Sequence, residues 1–456
     1  MENFPQSHQL QSWDSIDWKL VDKKVKGYRT SIFLAFRSGD VQRARKIQEN
    51  ALKSKSVLLM GIERITLVNQ GRKTPSPDKQ AYLSSERRWS LFKTILAMDL
   101  VKYEPPPLRR VSIPNQNGKL RPLSTPTILD RVIQYVVKCA LEPEWESLFE
   151  HGSYGFRPGR NCHDAIFSIY RTLSKKKRRW ILEGDIKGCF DNISHKVLLE
   201  RIETFPANYM IAKWLKAGYM KLSISYDTDS GTRQGGIISP LLANIALHGM
   251  EKALDIKYFR DGSIKSDGRY SLIRYSDDFV VMCKSEDDAQ QAKLILSEFL
   301  EKAGLKLSPE KTLIREANKG FDFLDWTFQL FEDKRRKQQE ITLVTPSKKA
   351  LANIRNKLRI IWRSGIGKPH KPMIKELNSA ITGWANYHQY VDANKAFSSL
   401  DNFNYKQAIR LIRRQHTQKS WNWLISKYFR SVDYDNWVFW DKDSGLNLTK
   451  FRSYRI

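Results

Sequence analysis

The chain has 456 residues, a formal net charge of +29 and a hydrophobic content of 41%. This hydrophobic content excludes a disordered chain, and the length predicts two or three folded domains. The excess of cations is far larger than solubility requires, so it predicts a basic surface for a polyanion such as a nucleic acid.

The cysteine spacing and the first residues of the sequence indicate the kind of protein and its compartment. Cys139, Cys162, Cys189 and Cys283 lack the paired spacing of zinc ligands or of a disulfide framework, so we expect reduced, buried thiols. No apolar run approaches the roughly 20 residues that span a bilayer, and the polar first residues lack a secretory signal. The sequence therefore predicts a cytoplasmic protein that does not associate with a membrane.

The N-terminal part of the chain reads as helical between residues 13 and 60. Apolar side chains recur with a heptad-like spacing at Trp18, Val21, Val25 and Ile32, on a strongly basic background. Residues 66 to 82 are rich in Pro, Lys and polar residues, which predicts a loop. Short strands and helices then alternate up to about residue 330.

A β-hairpin is predicted between residues 108 and 123, around the turn sequence Asn117-Gly118. Its second arm carries Lys119 and Arg121, which would project alike. Two such cations could neutralise a triphosphate, because phosphoryl-type transfer is mostly positioning and charge stabilisation.

Two further predicted strands carry carboxylates at their ends. An apolar strand ends at Asp185, and a tight hairpin places Asp277 and Asp278 at its tip, 92 positions later. An Asp-Asp pair at a turn is more often simple turn chemistry. With a third carboxylate on a neighbouring strand, however, the set could hold two Mg²⁺ ions about 4 Å apart, as nucleotidyl transfer requires.

Two weaker signals lie near these carboxylates in the sequence. An aromatic ring at Phe190 could lie beneath an incoming sugar and clash with a ribose 2′-hydroxyl, which would favour deoxynucleotides; the alternative is an ordinary core side chain. The segment Thr232-Arg-Gln-Gly-Gly-Ile-Ile-Ser-Pro240 opens a predicted helix, and its glycines allow a backbone or a base to approach closely.

The composition changes after residue 330. Residues 331 to 456 carry 25 Lys and Arg against 10 Asp and Glu, together with six of the thirteen tryptophans. Basic helices interleaved with aromatics suit a surface that binds phosphates and stacks on bases. We expect the tryptophans to lie mostly in a helical core and the cations mostly at nucleic acid. The densest cations are Lys334, Arg335, Arg336, Lys337, Arg413, Arg414 and Lys419.

Taken in order, the motifs of this chain resemble those of the group II intron-type reverse transcriptases of bacteria and organelles, over roughly residues 13 to 440. An ordered series of this length does not arise by chance. The matching segments are Arg109-Arg-Val-Ser-Ile-Pro114, Gly118-Lys-Leu-Arg-Pro-Leu123, Asp130-Arg131 with Gln134, Ser153-Tyr-Gly-Phe-Arg-Pro-Gly-Arg160, Asp185-Ile-Lys-Gly-Cys-Phe-Asp-Asn-Ile193, Gln234-Gly-Gly236, Ile238-Ser-Pro-Leu-Leu-Ala-Asn-Ile245, Tyr275-Ser-Asp-Asp278, Gly304-Leu-Lys-Leu-Ser-Pro-Glu-Lys-Thr312, Phe321-Asp-Phe-Leu324 and Gly383-Trp-Ala-Asn-Tyr387.

The resemblance implies an α+β fold shaped as a right hand, with fingers, palm and thumb. A basic helical N-terminal extension with the start of the fingers would occupy residues 1–82, fingers and palm 83–330, and a helical, basic thumb or maturase-like region 331–456. The activity implied is RNA-directed DNA synthesis, with an RNA template, a DNA or RNA primer, dNTPs and Mg²⁺ or Mn²⁺. RNA-dependent RNA polymerases share the carboxylate pattern, but an aromatic at Phe190 favours DNA synthesis.

The resemblance also assigns roles to individual positions. The metal ligands would be Asp185, Asp277, Asp278 and the Ile186 carbonyl, and the contacts to the incoming nucleotide Lys119, Arg121, Phe190, Gln234 and Lys311. Arg157 and Arg160, in the segment 153–160, are added to the C-terminal cations as expected nucleic-acid contacts.

The chain departs from the family pattern at several positions. Arg233 replaces the usual Pro, Ser276 the usual Ala and Asp325 the usual Gly, and residues 76–79 replace the usual Gly-Val-Asp-Gly. None of these changes removes an expected metal ligand. The sequence also lacks a Cys-rich or His-Asn-His nuclease segment, so we expect no nicking of a second DNA strand by that route.

Three interpretations remain open at the level of the sequence. The first is an active reverse transcriptase of group II intron ancestry that serves its host, for example in CRISPR spacer acquisition, phage defence or repair, with a cognate structured RNA or defence proteins as partners. The second is the reverse transcriptase and splicing maturase of a mobile intron. The third is an RNA-binding splicing factor that no longer polymerises, which the complete set of three carboxylates disfavours.

Overall fold

The computed structural model describes residues 12–69, 78–114, 120–217, 219–221, 224–226, 231, 236–259, 265, 268–333, 339–433 and 435–455. The elements up to residue 316 are α1 (Trp18–Arg37), α2 (Val41–Leu52), α3 (Lys55–Glu63), α4 (Ser85–Ala97), β1 (Leu108–Pro114), β2 (Leu120–Thr125), α5 (Ile128–Leu148), α6 (Cys162–Ser174), β3 (Trp180–Asp185), α7 (Cys189–Asn192), α8 (His195–Arg201), α9 (Asn208–Lys216), β4 (Tyr219–Lys221), β5 (Ile224–Tyr226), α10 (Ser239–Leu247), α11 (Met250–Ala253), β6 (Tyr270–Tyr275), β7 (Asp278–Cys283), α12 (Glu286–Lys302) and β8 (Leu313–Glu316).

The C-terminal part of the chain has its own series of strands and helices. These are β9 (Phe321–Phe323), β10 (Trp326–Asp333), β11 (Gln339–Pro346), α13 (Lys348–Ser364), α14 (His370–His388), α15 (Asn394–Gln415), α16 (Trp421–Tyr428), β12 (Phe429–Val432), β13 (Asp435–Asp441) and β14 (Leu446–Asn447). Helices and separate sheets together confirm the predicted α+β class.

The described strands form four sheets, with the orders β2-β1-β4-β5, β6-β7-β3-β8, β11-β10-β9 and β12-β13-β14. The hairpin predicted between residues 108 and 123 is confirmed: β1 pairs with β2 antiparallel, from Arg109 opposite Thr125 to Pro114 opposite Leu120. The turn that joins these two strands lies outside the described residues.

The chain divides into two compact units, of which the first comprises residues 1–165, 184–281 and 287–313 and the second residues 166–183, 282–286 and 314–456. The first unit begins with the predicted N-terminal helices. Asp17 caps α1 by accepting hydrogen bonds from the backbone N–H groups of Lys19 and Leu20. The buried Val21 and Val25 lie on the face predicted from their spacing, and α1 packs against α5.

Two ion pairs fasten the N-terminal helices to α5. Arg29 Nη2 lies 2.6 Å from Glu142 Oε2, and Arg45 Nη1 lies 2.6 Å from Glu144 Oε2. Both glutamates are buried, and each has a second partner: Lys138 Nζ lies 3.4 Å from Glu142 Oε1, and Gln48 Nε2 donates to Glu144 Oε2 at 2.8 Å. The first helices are therefore part of the folded unit.

The second unit is largely helical, as predicted for the C-terminal region. Its core includes Trp362 from α13, Leu377 from α14 and Phe397 from α15. The core also takes Phe439 from the sheet β12-β13-β14, which the sequence did not predict. The predicted domain boundary at residue 330 falls inside strand β10.

The four cysteines carry no disulfide, and three of them are buried, while Cys162 is partly exposed. Within the residues described, no helix is both long and apolar enough to cross a membrane.

Candidate active site

The three predicted metal ligands stand at the ends of two neighbouring strands. Strand β3 ends at Asp185, and strand β7, next to β3 in its sheet, begins at Asp278. Asp277 lies in the two-residue turn that joins β6 to β7. All three side chains are partly exposed, although the strands behind them are mostly buried. The carboxylates therefore meet solvent at the edge of an apolar sheet.

A glycine allows the two carboxylate-bearing strands to lie close together. A Cβ atom added to Gly184 would be 2.1 Å from Cζ of Phe279, well inside van der Waals contact. The Phe279 ring on β7 therefore fills the space that a side chain on β3 would need. Asp185 follows Gly184 directly, and Asp278 precedes Phe279, so this contact lies next to both carboxylates in the sequence.

A buried arginine holds the turn that carries Asp277. Ser276 has a φ of +61°, in the left-handed region that non-glycine residues rarely adopt. The Arg274 guanidinium donates from Nη1 to the Ser276 carbonyl at 3.0 Å and to Asn244 Oδ1 at 2.9 Å, and from Nη2 to Ser153 Oγ at 2.7 Å. Burial lowers the pKa of Arg274 to about 10, so the side chain is still a cation at neutral pH.

The loop formed by residues 152–155 contacts the same hairpin. The backbone N–H of Arg274 donates to the Gly152 carbonyl at 2.7 Å, and Asn244 Nδ2 donates to the Gly155 carbonyl at 2.8 Å. A Cβ atom on Gly155 would be 2.4 Å from the backbone nitrogen of Ser276. Only glycine fits there, because the backbone at this contact has no side-chain end that could rotate away.

The ammonium of Lys311 interacts with the carboxylates of the site. Its Nζ lies 2.9 Å from Asp185 Oδ1. This hydrogen bond raises the pKa of the Lys311 ammonium, and the negative charges of Asp185, Asp278 and Asp277 add to the effect. The carboxylates at the ends of both strands therefore favour the charged form of Lys311.

The donor chemistry of the site fits a hard divalent cation, because carboxylate and carbonyl oxygens are the ligands such ions prefer. Among the residues that the structure describes, no group of three or more His, Cys, Asp or Glu side chains is gathered closely enough to hold a metal ion as it stands. The Lys311 ammonium instead lies beside the Asp185 oxygen. A cation bound at Asp185 would compete with this ammonium.

The role of the Ile186 carbonyl as a further metal ligand stays a prediction. Ile186 forms an isolated antiparallel bridge with the segment that follows α12. The hydrogen bonds on either side of this bridge run from Ser308 N to the Asp185 carbonyl at 2.8 Å and from Lys187 N to the Lys306 carbonyl at 2.9 Å. Neither of these two bonds uses the Ile186 carbonyl.

Comparison with protein families matches three consecutive parts of the chain. Residues 13–95 match the N-terminal domain of reverse transcriptase, 113–328 match reverse transcriptase (RNA-dependent DNA polymerase), and 351–429 match the group II intron, maturase-specific domain. The chain is also similar to protein YkfC of Escherichia coli K12, with 32% identity over 66% of this chain and 87% of YkfC.

The chain belongs to the group II intron-type reverse transcriptases. It is 35% identical to the group II intron-encoded protein LtrA of Lactococcus lactis over 50% of this chain, and it spans about half of LtrA, 48% of its length. It is 24% identical to maturase-like protein 1 of Euglena gracilis over 79% of this chain. Its enzyme class is therefore RNA-directed DNA polymerase. The reverse transcriptase domain and the maturase-specific domain imply binding of an RNA template and a primer.

In this reverse transcriptase, Phe190 lies in the short helix α7, directly after the carboxylate strand β3. Gly188, with a φ of +55°, turns the chain from β3 into α7. The Phe190 side chain is only 9% exposed. This burial agrees with the core alternative, and the role of Phe190 at the sugar stays a prediction.

Sequence reasoning assigned no role to Asp130 and Gln134, which the structure links by hydrogen bonds to Trp214 and to the residue Ile237 just before α10. Asp130 accepts hydrogen bonds from Trp214 Nε1 at 2.6 Å and from Gln134 Nε2 at 3.0 Å. Gln134 Oε1 in turn accepts from the backbone N–H of Ile237 at 2.9 Å. Burial raises the pKa of Asp130 to about 6. Helix α5 thereby fixes the chain just before α10, which begins at Ser239 as the sequence predicted.

Arg157 occupies a structural position rather than an exposed one. Its guanidinium is bound by the Glu146 carboxylate at 2.9 Å and donates to the carbonyls of Glu150 and Ser153, both at 2.8 Å. Its side chain is only 4% exposed, so the expected contact with nucleic acid is disfavoured. Arg160 is half-buried and also donates to the Ser153 carbonyl, at 3.2 Å.

The structure describes only part of the remaining predicted site. Lys119, Gln234, Lys334, Arg335, Arg336 and Lys337 lie outside the described residues, and of Arg121 only the backbone, in strand β2, is described.

The described C-terminal cations lie near the end of the second unit. Arg413 and Arg414 are exposed on the last turn of α15, and Lys419 is exposed in the loop that follows. The Arg413 guanidinium lies 5.1 Å from the ring centre of Trp421, and Lys419 Nζ lies 5.4 Å from that of Trp423. The sequence expectation of basic residues interleaved with aromatics is met at this position.

Proposed function

We propose that this reverse transcriptase extends a DNA or RNA primer on an RNA template with deoxynucleoside triphosphates, and that Asp185, Asp277 and Asp278 hold the Mg²⁺ ions of the reaction. The observation that carries the proposal is the position of the three carboxylates at the ends of neighbouring strands β3 and β7. The Ile186 carbonyl is proposed as a further ligand, and Mn²⁺ as a substitute ion.

When bound, the divalent cations would activate the primer 3′-hydroxyl and neutralise the charge that develops on the departing pyrophosphate. The chain's own residues keep the carboxylates in place: Arg274 binds the carbonyl of the turn residue Ser276, and Gly155 lets its loop support the turn. Such positioning matters because phosphoryl-type transfer depends mainly on geometry and charge.

The residues around the carboxylates would bind the incoming nucleotide. Lys311 is close enough to respond to all three carboxylates, so its ammonium can turn to a phosphate when a metal ion takes its place beside Asp185. Lys119 and Arg121 are proposed to bind the triphosphate, Gln234 the nucleotide and Phe190 the sugar.

The template and a structured RNA are proposed to bind the region 331–456. Its 25 Lys and Arg against 10 Asp and Glu favour a polyanion, and Arg413, Arg414 and Lys419 are exposed beside aromatic rings. Lys334 to Lys337 are proposed as further contacts from their charge alone.

We also propose that the enzyme serves its host, in phage defence, CRISPR spacer acquisition or repair, with defence proteins as partners. Support comes from the departures at Arg233, Ser276 and Asp325, which leave the carboxylates intact. The match of residues 351–429 to a maturase-specific domain favours the alternative, a mobile intron protein that acts in splicing and retrohoming. Sequencing the RNA that co-purifies with the protein distinguishes the host role from the intron role. If this RNA is an intron that splices faster with the protein, the host role is overturned.

Primer extension by an Asp277→Asn variant tests the assignment of the carboxylates. The variant should keep the fold and template affinity but lose synthesis, because a neutral amide is a far weaker Mg²⁺ ligand than a carboxylate. Glu310→Gln, an acidic residue one position from Lys311 but not among the proposed ligands, is the matched control. Full extension by the Asp277 variant would exclude the proposed metal site.

A further inference from the structure

The second unit contains a cavity of about 320 Å³ between α15 and the strands β12 and β13. Aromatic side chains line it on the strand side and on the helix side, including Tyr405, Phe429, Trp437 and Phe439. The volume lies at the lower end of the range for pockets that bind small organic groups, about 300–1,000 Å³. One aromatic base with its sugar is of suitable size.

The backbone of Trp437 is strained at this cavity. Its φ is +71°, a value that bulky residues rarely adopt. Strand β12 pairs Arg430 with Val438 and Val432 with Asp435, so two residues of β13 stand opposite one residue of β12 in a β-bulge. Bulges redirect side chains and occur beside functional sites, and glycine usually takes the left-handed position. A tryptophan kept at such a position points to a function for its ring.

The indole of Trp437 has room for a planar partner. Its ring meets Tyr405 at a centroid distance of 6.2 Å and an angle of 88°, and Phe429 at 6.0 Å and 62°. Neither contact is a parallel stack, and the residue remains 46% exposed. An exposed indole beside two further aromatics is the kind of platform on which nucleobases stack.

Polar groups of the cavity suit the rest of a nucleotide. Asn404 is 3% exposed, and its Oδ1 accepts from Trp362 Nε1 at 3.0 Å. Its Nδ2 is buried and finds no acceptor among the described residues. Arg452 and Lys450 line the cavity, where Lys450 Nζ pairs with the Asp435 carboxylate and Arg452 Nε donates to Asp401 Oδ2 at 3.2 Å. The Arg452 side chain is 49% exposed, so its remaining N–H groups could donate to a phosphate.

We propose that this cavity binds one unpaired nucleobase of an RNA strand, stacked on Trp437, with its backbone phosphate at the exposed Arg452. The inference rests on the proposed binding of RNA by region 331–456 and names a particular site in it. It predicts that the region distinguishes RNA with an unpaired nucleotide from a fully paired helix, which surface charge alone would not do.

Photocrosslinking tests the position directly in the full-length, unmodified chain. An RNA hairpin with a single bulged 4-thiouridine is irradiated with the protein, and the crosslinked peptides are identified by mass spectrometry. We expect crosslinks at Trp437 or Tyr405, and none there when the same nucleotide is base-paired. Crosslinks confined to other parts of the chain would overturn the proposal.

Affinity measurements test the energetic role of the ring. Trp437→Ala should weaken binding of the bulged RNA about 5- to 150-fold, the range for one base stacked on an aromatic side chain, and leave the paired RNA unaffected. Trp437→Phe should restore much of the loss. Tyr390→Ala is the matched control, because Tyr390 is an aromatic residue of the same unit with 65% exposure. Equal losses for bulged and paired RNA would contradict a base-specific site.

Mononucleotides distinguish a base within RNA from a free nucleotide. If AMP, GMP, CMP or UMP at micromolar concentration abolishes the crosslink, the same nucleobase site serves a free nucleotide; if none competes, the base belongs to RNA. A protein that binds RNA with strong salt dependence but without preference for the bulge would refute the cavity and leave the proposed RNA-binding region intact. Loss of all RNA binding would refute the proposed RNA-binding role of region 331–456. Whether the cavity binds a nucleobase would then be decided by comparing mononucleotide binding to wild type and to Trp437→Ala.

Discussion

Replacing Gly155 by alanine tests whether the loop at 152–155 sets the position of the turn Ser276-Asp277 between β6 and β7. The new methyl carbon would lie 2.4 Å from the Ser276 backbone nitrogen and 2.9 Å from the Tyr275 carbonyl carbon. Ordinary contacts of a Cβ atom begin at 3.4 Å. The loop and the turn must therefore separate by about 1 Å, because both contacts are with backbone atoms that cannot rotate aside.

Two magnitudes follow from this displacement. Overpacking of this kind costs about 1–3 kcal/mol of stability, which a protein of this size can tolerate. A shift of about 1 Å at a reacting group costs on the order of 10²-fold in rate. We therefore expect kcat for addition of one nucleotide to fall about 100-fold, while the affinity for primer and template stays within about threefold of wild type.

The assay is single-nucleotide extension under saturating dNTP, with RNA affinity and the unfolding temperature measured in parallel. Gly27→Ala is the control, because no described atom lies within 4 Å of a Cβ at that position in α1, and alanine favours a helix by about 0.5–1 kcal/mol. A Gly155→Ala enzyme with wild-type kcat would refute the argument that this loop positions the turn. Parallel loss of kcat and RNA affinity would instead indicate general unfolding.

Three further predictions concern the sugar, the RNA and the pH dependence of stability. Phe190→Ala should raise incorporation of ribonucleotides relative to deoxynucleotides if the ring contacts the sugar, whereas a purely structural ring would leave the ratio unchanged in a competition assay. Replacing Arg413 and Arg414 together by alanine should flatten the salt dependence of RNA binding by up to about two units, one per lost phosphate contact, and reduce processivity more than single-nucleotide addition; an unchanged slope would make these residues a solvated helix face. Burial and the neighbouring Glu150 raise the pKa of Glu251 to about 7, so the folded state holds a proton that the unfolded state loses near its ordinary pKa, and stability should fall as pH rises from about 4.5 to 7. Glu251→Gln should reduce this fall in urea titrations at pH 5 and pH 8, because Asp130 with its own raised pKa still contributes to it, and an equal fall in the variant would assign it wholly to other groups.

Local signals in the sequence were sufficient for several elements of the site. The hairpin that carries Asp277 and Asp278 combines two apolar strands with a polar two-residue turn, and both features are visible within 14 residues. The same holds for α10, whose start is marked by Ser239 and Pro240. The pairing of β3 with β7 is not local, so the approach of Asp185 to this hairpin was inferred from the acidic ends of two apolar strands and from the family resemblance.

The sequence was less informative where a side chain's environment depends on distant parts of the chain. Arg157 lies in a basic motif and was expected at nucleic acid, but Glu146 on α5 and two backbone carbonyls bind its guanidinium. Nothing in the motif distinguishes a buried arginine from an exposed one. The sheet β12-β13-β14 was missed for a related reason: Trp437 and Trp440 were counted with the tryptophans of a helical region, and the bulge between the strands has no glycine to mark it.

The geometry of the turn Ser276-Asp277 depends on Arg274 more than on the two turn residues themselves. The left-handed conformation of Ser276 costs an L-residue about 1–2 kcal/mol. A hydrogen bond from a charged donor, such as the one that Arg274 makes to the Ser276 carbonyl, contributes about 1.5–3 kcal/mol and can offset that cost. Arg274 is 1% exposed, and it can stay charged at this depth because the negative charges of Glu150 and Glu251 oppose the effect of burial on its pKa, while Asn244 and Ser153 accept two of its hydrogen bonds. The turn that carries Asp277 is therefore held by Arg274, whose own position depends on Asn244 and Ser153, 30 and 121 residues away in the sequence. A hairpin of identical sequence without these two residues would lose the position of its carboxylate.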